Sequence, residues 1–154
     1  MNAALDAPRF TPVGDRGVLV EFATEVSDLA NDAVVALDRA IAGAQPAGVV
    51  EVVPAFVSLL VVFDPLATDH AVIEAELRSI MPADHGAVEV GQRHVVPVCY
   101  DEQFAPDLAA VASATGMSVE SVITAHLAAD YRVAMYGFAP GYAYMSGVPE
   151  AIQV

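Results

Sequence analysis

Two side chains suited to holding or moving a proton, His126 and Tyr131, stand five residues apart just ahead of an unusual run. That run, Met135-Tyr136-Gly137-Phe138-Ala139-Pro140-Gly141-Tyr142-Ala143-Tyr144-Met145-Ser146-Gly147, packs four aromatics, three glycines and a proline into thirteen residues. Glycine lets the backbone reach positive φ or approach another group closely, and proline locks φ and withholds a donor. The composition therefore predicts a segment that is neither regular helix nor regular strand, whose rings need something to pack on. Two readings follow. The rings can be a buried plug that fixes how the preceding helix enters the next strand, or they can be a pocket wall. In the second reading the backbone around Gly137 and Gly141 contacts an anion, Phe138 and Pro140 shape the loop, and Tyr142 and Tyr144 offer hydroxyls and ring faces. A histidine on an apolar helical stripe is most often a core residue with one ring nitrogen hydrogen-bonded. The functional alternative is that His126 and Tyr131 point from the helix toward the loop and line the same pocket.

Other chemistries lack their residues. The chain has no lysine, so no phosphate loop of the Walker type is possible, and no Gly-x-Ser-x-Gly elbow occurs. Histidines 70, 85, 94 and 126 show no paired ligand spacing and Cys99 stands alone, so no metal site is expected. The six basic residues, all arginine, face twenty acidic ones for a net charge of -14. That balance argues against nucleic acid and against an anionic membrane surface as partners. The single cysteine suits a reducing compartment, no basic-then-apolar leader opens the chain, and the longest apolar stretch, Ala55 to Phe63, is too short to span a bilayer. A soluble cytoplasmic protein is expected.

The elements that position these residues follow from hydropathy spacing. Gly14 to Gly17 predicts a turn into a strand with Val18, Val20 and Phe22 on one face. Ser27 or Asp28 caps a helix carrying Ala30, Val34, Leu37 and Ile41, with Gly43 as its stop. Strands follow at Val49–Val53 and, after Pro54, at Ser58–Phe63, the latter of the kind buried on both faces. A helix from Asp69 places Ile73, Leu77 and Ile80 together. A further strand at Ala87–Val90 or Arg93–Val98 would complete a ferredoxin-like split β-α-β arrangement in an α+β domain over residues 8–91. Residues 92–154 then hold a strand at His94–Tyr100, a helix capped by Asp107 and ended by Gly116, and a helix capped by Ser118. Val119, Val122, Ile123, Leu127 and Tyr131 form its stripe, with His126 and Asp130 alongside. One strand, two helices and a loop cannot bury their own apolar faces, so this part reads as incomplete and is expected to associate with itself or a partner through an open sheet edge.

The run Gly137-Phe138-Ala139-Pro140-Gly141-Tyr142-Ala143-Tyr144, with Gly147-Val148-Pro149 after it, resembles the hallmark of the allophanate hydrolase subunit 1 family. That family takes in the 5-oxoprolinase subunit PxpB, the kinase inhibitor KipI and the carboxyltransferase domain of urea carboxylase. Gly14-Asp15, the stretch Pro54 to Pro65, Tyr100-Asp101, Pro106-Asp107-Leu108, Val122-Ile123 with His126, and Tyr131-Arg132-Val133 match in order. The resemblance implies a small α+β domain followed by a cyclophilin-like β-barrel, of which the closing strands are not in these 154 residues. It departs from the family at Met145-Ser146-Gly147, where Leu-Gly-Gly is usual. It also implies ATP-dependent opening of 5-oxoproline to glutamate, with a subunit 2 (PxpC-like) partner, a PxpA-like subunit and ATP held by the complex. His126 would then be a polar or acid–base contributor. Alternatives within the family are a KipI-type inhibitor of a sensor histidine kinase and a subunit associated with urea carboxylase or allophanate hydrolase.

Overall fold

In the computed structural model, which describes residues 5, 7–82 and 91–154, the chain divides into two units, residues 1–90 and 91–154. The first is a mixed α+β unit built on a four-stranded antiparallel sheet. Its elements in chain order are β1 (Arg9–Val13), β2 (Gly17–Glu21), α1 (Asp28–Ala44), β3 (Val49–Pro54), β4 (Ser58–Phe63) and α2 (His70–Ile80). The strand order is β1-β2-β4-β3. The alternative fourth strand at Ala87–Val90 lies outside the described residues.

β1 went unread in the sequence because Pro12 interrupts its apolar pattern. It is tolerated because β1 is an edge strand, where a missing N–H can face solvent, and Pro54 occupies the opposite edge in β3. Within β4 the burial alternates. Leu59, Val61 and Phe63 are fully buried, while Ser58, Leu60 and Val62 are half-buried. This corrects the expectation of a strand buried on both faces. The registers Val18↔Val61 and Val20↔Leu59 put the buried residues of β2 and β4 on one face. There they join Ala30, Ala33, Val34, Leu37 and Ile41 of α1 and Ile73 and Leu77 of α2 in a single core.

Both helices start where their caps predict. The Ser27 hydroxyl accepts the Ala30 N–H at 3.2 Å and the Asp69 carboxylate accepts the Val72 N–H at 3.0 Å. Gly43 does not end α1. The helix runs on to Ala44, and Gln45 takes the left-handed cap at φ 48, giving its N–H to the Ile41 carbonyl. A side chain held there is strained by about 1 kcal/mol relative to glycine. Gln45→Gly should therefore raise the urea midpoint by an amount worth up to about 1 kcal/mol, less the extra chain entropy glycine brings to the unfolded state. An unchanged or lower midpoint would show the cap to be unstrained.

The second unit contains α3 (Leu108–Thr115), α4 (Val119–Ala128), β5 (Arg132–Tyr136), β6 (Ala143–Ser146) and a 3-10 turn at Glu150–Ile152. Three expectations are corrected here. Residues 91–100 form no strand, and Val95, Val96 and Val98 are exposed. An extended segment needs a neighbouring ladder to satisfy its backbone, and the described residues supply none for it. Asp107 precedes α3 in helical conformation and its carboxylate makes no cap bond, although Gly116 does close that helix in the left-handed region. α4 ends at Ala128 with Ala129 extended, so Asp130 and Tyr131 lie beyond the helical stripe, and Leu127 faces solvent. The small core of this unit gathers Ala112, Val122 and Ile152, with Leu108, Val111, Met117 and Ala125 packed on it. Among the described residues no single helix is long and apolar enough to cross a membrane.

Candidate functional site

The aromatic run folds as an antiparallel hairpin, with β5 and β6 paired from Arg132↔Ser146 to Tyr136↔Ala143. The expectation of an irregular segment holds only for its tip, because Met135 and Tyr136 pair with Tyr144 and Ala143, and Met145 and Ser146 with Val133 and Arg132. At the tip, Ala139-Pro140-Gly141-Tyr142 makes a tight turn in which the Tyr142 N–H donates to the Ala139 carbonyl at 3.0 Å. Proline in the second place and Gly141 at φ +80 in the third are the requirements of a type II turn. The Gly137 N–H donates to the Tyr142 carbonyl at 2.8 Å, and the Tyr142 ring lies over Gly137. Tyr142 and Tyr144 meet edge to face, centroids 5.2 Å apart.

The rings do not form a buried plug. Phe138 is 101% exposed and Tyr136 82%. Tyr142 and Tyr144 are also exposed.

A second cluster surrounds His126. Its Nδ1 lies 2.6 Å from the Tyr100 hydroxyl, and the two rings meet edge to face at 5.8 Å. The Tyr131 ring is tilted by 41° against the imidazole at 5.1 Å, and the Tyr131 hydroxyl donates to the His126 backbone carbonyl at 3.3 Å. Burial raises the pKa of the Tyr131 hydroxyl above the ordinary tyrosine value, and the nearby Tyr100 hydroxyl pushes it the same way. Tyr131 therefore keeps its proton and remains a donor. Although α4 stops before Tyr131, the extended turn at Ala129 still returns that ring to His126.

His126 and Tyr131 are thus brought together, but not as members of one helical stripe, because α4 ends at Ala128. Tyr131 immediately precedes Arg132 at the base of the hairpin, whereas Gly137, Pro140, Gly141 and Tyr142 lie at its tip. Four residue steps along β5 separate the two levels by roughly 13 Å, with Tyr144 between them opposite Met135. Tyr100 went unrecognised as a site residue. Its distance in sequence from His126 hides the contact, and its only signal was the Tyr100-Asp101 pair among the matching motifs.

Two groups that could meet an anion are already engaged within the chain. The Gly137 N–H is already given to Tyr142, and the Arg93 guanidinium is paired with Asp130 at 2.9 Å. Among the described residues no group of three or more histidine, cysteine, aspartate or glutamate side chains could hold a metal ion. An open groove of about 360 Å³ along α4 is lined by Glu120, Ser121, Thr124, Ala125 and Ala128, none of which belongs to either cluster.

Known proteins share both the sequence and the fold of this chain. Residues 8–154 match the carboxyltransferase domain, subdomain C and D, and the chain belongs to that family. It is 30% identical over 151 residues to the 5-oxoprolinase B-subunit of Bacillus subtilis (strain 168), a similarity covering 91% of this chain and 63% of that protein. The chain thus spans less than two thirds of this relative's length. It also resembles the crystal structure of TTHA0988, with a TM-score of 0.76 and 33% identity over 91% of this chain and 27% of that one. Urea amidolyase of K. lactis shares the fold, with a TM-score of 0.58 and 18% identity over 84% of this chain and 9% of that one.

Proposed function

We propose that this chain is one component of an ATP-dependent cyclic-amide hydrolase of the 5-oxoprolinase type, acting in the cytoplasm with a subunit 2 (PxpC-like) protein and a PxpA-like protein. The observation that carries this reading is the 30% identity to the Bacillus subtilis 5-oxoprolinase B-subunit across 91% of the chain. We read residues 8–91 as a ferredoxin-like domain and residues 92–154 as the opening part of a cyclophilin-like barrel. In this reading ATP is held by the complex. The reaction needs a polarised amide carbonyl and a ring to hold. His126, braced by Tyr131, supplies a polar contact to the substrate. Phe138, Tyr142 and Tyr144, on the turn shaped by Gly137, Pro140 and Gly141, supply ring faces at the other level, to the partner chain that closes the site.

The test is co-expression with a subunit 2 protein and a PxpA-like protein, followed by measurement of glutamate released from 5-oxoproline. Release that requires ATP and stops when this chain is omitted is the expected result. A complex that forms with the chain and releases no glutamate overturns the proposal.

A further inference from the structure

We propose that Tyr100 is a positioning residue that holds His126 in a single tautomer, so that the imidazole meets the substrate as a hydrogen-bond donor through Nε2–H, toward a carbonyl or carboxylate oxygen. This deepens the reading just given and depends on it for the substrate.

The contact of 2.6 Å between the Tyr100 hydroxyl and Nδ1 can in principle run in either direction. Base strength decides it. An imidazole nitrogen is a far better acceptor than a phenol oxygen, and a phenol is a better donor than a neutral imidazole N–H. Tyr100 therefore donates to Nδ1, and the neutral ring carries its proton on Nε2. No second group contests Nδ1 from the Tyr131 side, because that hydroxyl is directed to the His126 carbonyl. The ring is also held mechanically. Tyr100 meets it edge-on at 84°, and Tyr131 leans against it at 5.1 Å.

The other nitrogen is left available. Among the described residues the histidine nitrogen that is buried without a partner is Nε2 of His70, not that of His126. His126 itself is half-buried in the last turn of α4. A ring with one nitrogen occupied and the other accessible suits a fixed donor better than a base. A base at Nε2 would need the proton on Nδ1, which would set two donors against each other across 2.6 Å unless the Tyr100 hydroxyl turned away. Such a donor strengthens as negative charge develops on a carbonyl oxygen, and loss of one donor of this kind lowers kcat by about 10²-fold.

The experiment uses the full chain labelled with ¹⁵N. Long-range ¹H–¹⁵N spectra of His126, recorded where the imidazole is neutral, are expected to show an acceptor-like Nδ1 and a protonated Nε2. Tyr100→Phe keeps the ring and removes the hydroxyl, and should shift His126 to a mixture of tautomers. Tyr131→Phe removes a hydroxyl that bonds only the backbone and should leave the tautomer unchanged. In the reconstituted complex, Tyr100→Phe should lower kcat about ten-fold with little change in KM. His126→Gln, whose amide N–H reaches toward the place of Nε2–H, should retain more activity than His126→Ala.

Wild-type ¹⁵N shifts persisting in Tyr100→Phe overturn the proposal. So does a shifted spectrum accompanied by an unchanged kcat. Because the spectra are read on this chain alone, a complex without glutamate release sinks the proposed activity and leaves the tautomer to be decided by the spectra.

Discussion

Gly147→Ala is expected to unseat the β5–β6 hairpin from the turn that precedes it, at a cost of roughly 2–5 kcal/mol. Gly147 sits at φ +102, where an L side chain is strained by about 1–2 kcal/mol. A Cβ there would run into the Asp130 carbonyl oxygen and lie 3.2 Å from the Tyr131 Cα and 3.3 Å from the Asp130 carbonyl carbon. All three neighbours are backbone atoms, so relief requires moving the chain and not a rotamer. Moving it displaces Tyr131, and with it the ring and hydroxyl that brace His126. Thermal or urea unfolding reads the loss, and faster amide exchange in β5 and β6 locates it. Gly116→Ala is the control. Its φ is +67, but nothing lies within 4 Å of the added atom, so only the strain of about 1 kcal/mol applies. If the two variants are equally destabilised, the close approach at Asp130 is wrong.

Phe63→Ala is expected to remove about 3–5 kcal/mol from the first unit. Small domains hold only about 5–15 kcal/mol in total, so this variant should be largely unfolded at modest urea. Phe63 ends the central strand β4, is 1% exposed, and meets the His70 ring edge-on at 4.9 Å. It closes the core where β4 meets the start of α2, and alanine would leave a cavity lined by groups fixed in sheet and helix. Water entering that cavity could reach the buried, unpartnered Nε2 of His70 and recover part of the loss, which places the expected value toward the lower end. Leu60→Ala, on the half-buried face of the same strand, should cost about half as much. Equal losses at the two positions would mean that β4 is covered on both faces, as its continuous apolar run suggests.

That run shows where reading the sequence reaches its limit. Ser58-Leu59-Leu60-Val61-Val62-Phe63 announces a strand by composition, but composition alone cannot distinguish a strand with two covered faces from one with a single covered face. The answer lies in where α1 and α2 pack. β1 was missed for a related reason. Pro12 excludes a central strand and permits an edge strand, and only the sheet order reveals that β1 is an edge. In the second unit, Val95, Val96 and Val98 have the composition of a strand, but no neighbour among the described residues pairs with them.

The candidate site divides along the same line. Gly137, Pro140 and Gly141 mark an irregular segment in the sequence, because the fixed φ of proline and the φ freedom of glycine are properties of single residues. That the segment is the tip of a hairpin comes from the strand pairing. Caps at Ser27, Asp69 and Ser118 were legible because each acts across three residues. Local chemistry therefore settled the starts of α1, α2 and α4 and the buried stripe of α1, and it assigned the family motifs their order along the chain. Only the tertiary structure decided that Tyr100 meets His126 across 26 residues, that Tyr131 reaches the same histidine from outside the helix, and that Phe138 remains in solvent. Those outcomes depend on which distant backbones come close enough to hydrogen-bond or exclude water, and no local spacing carries that information.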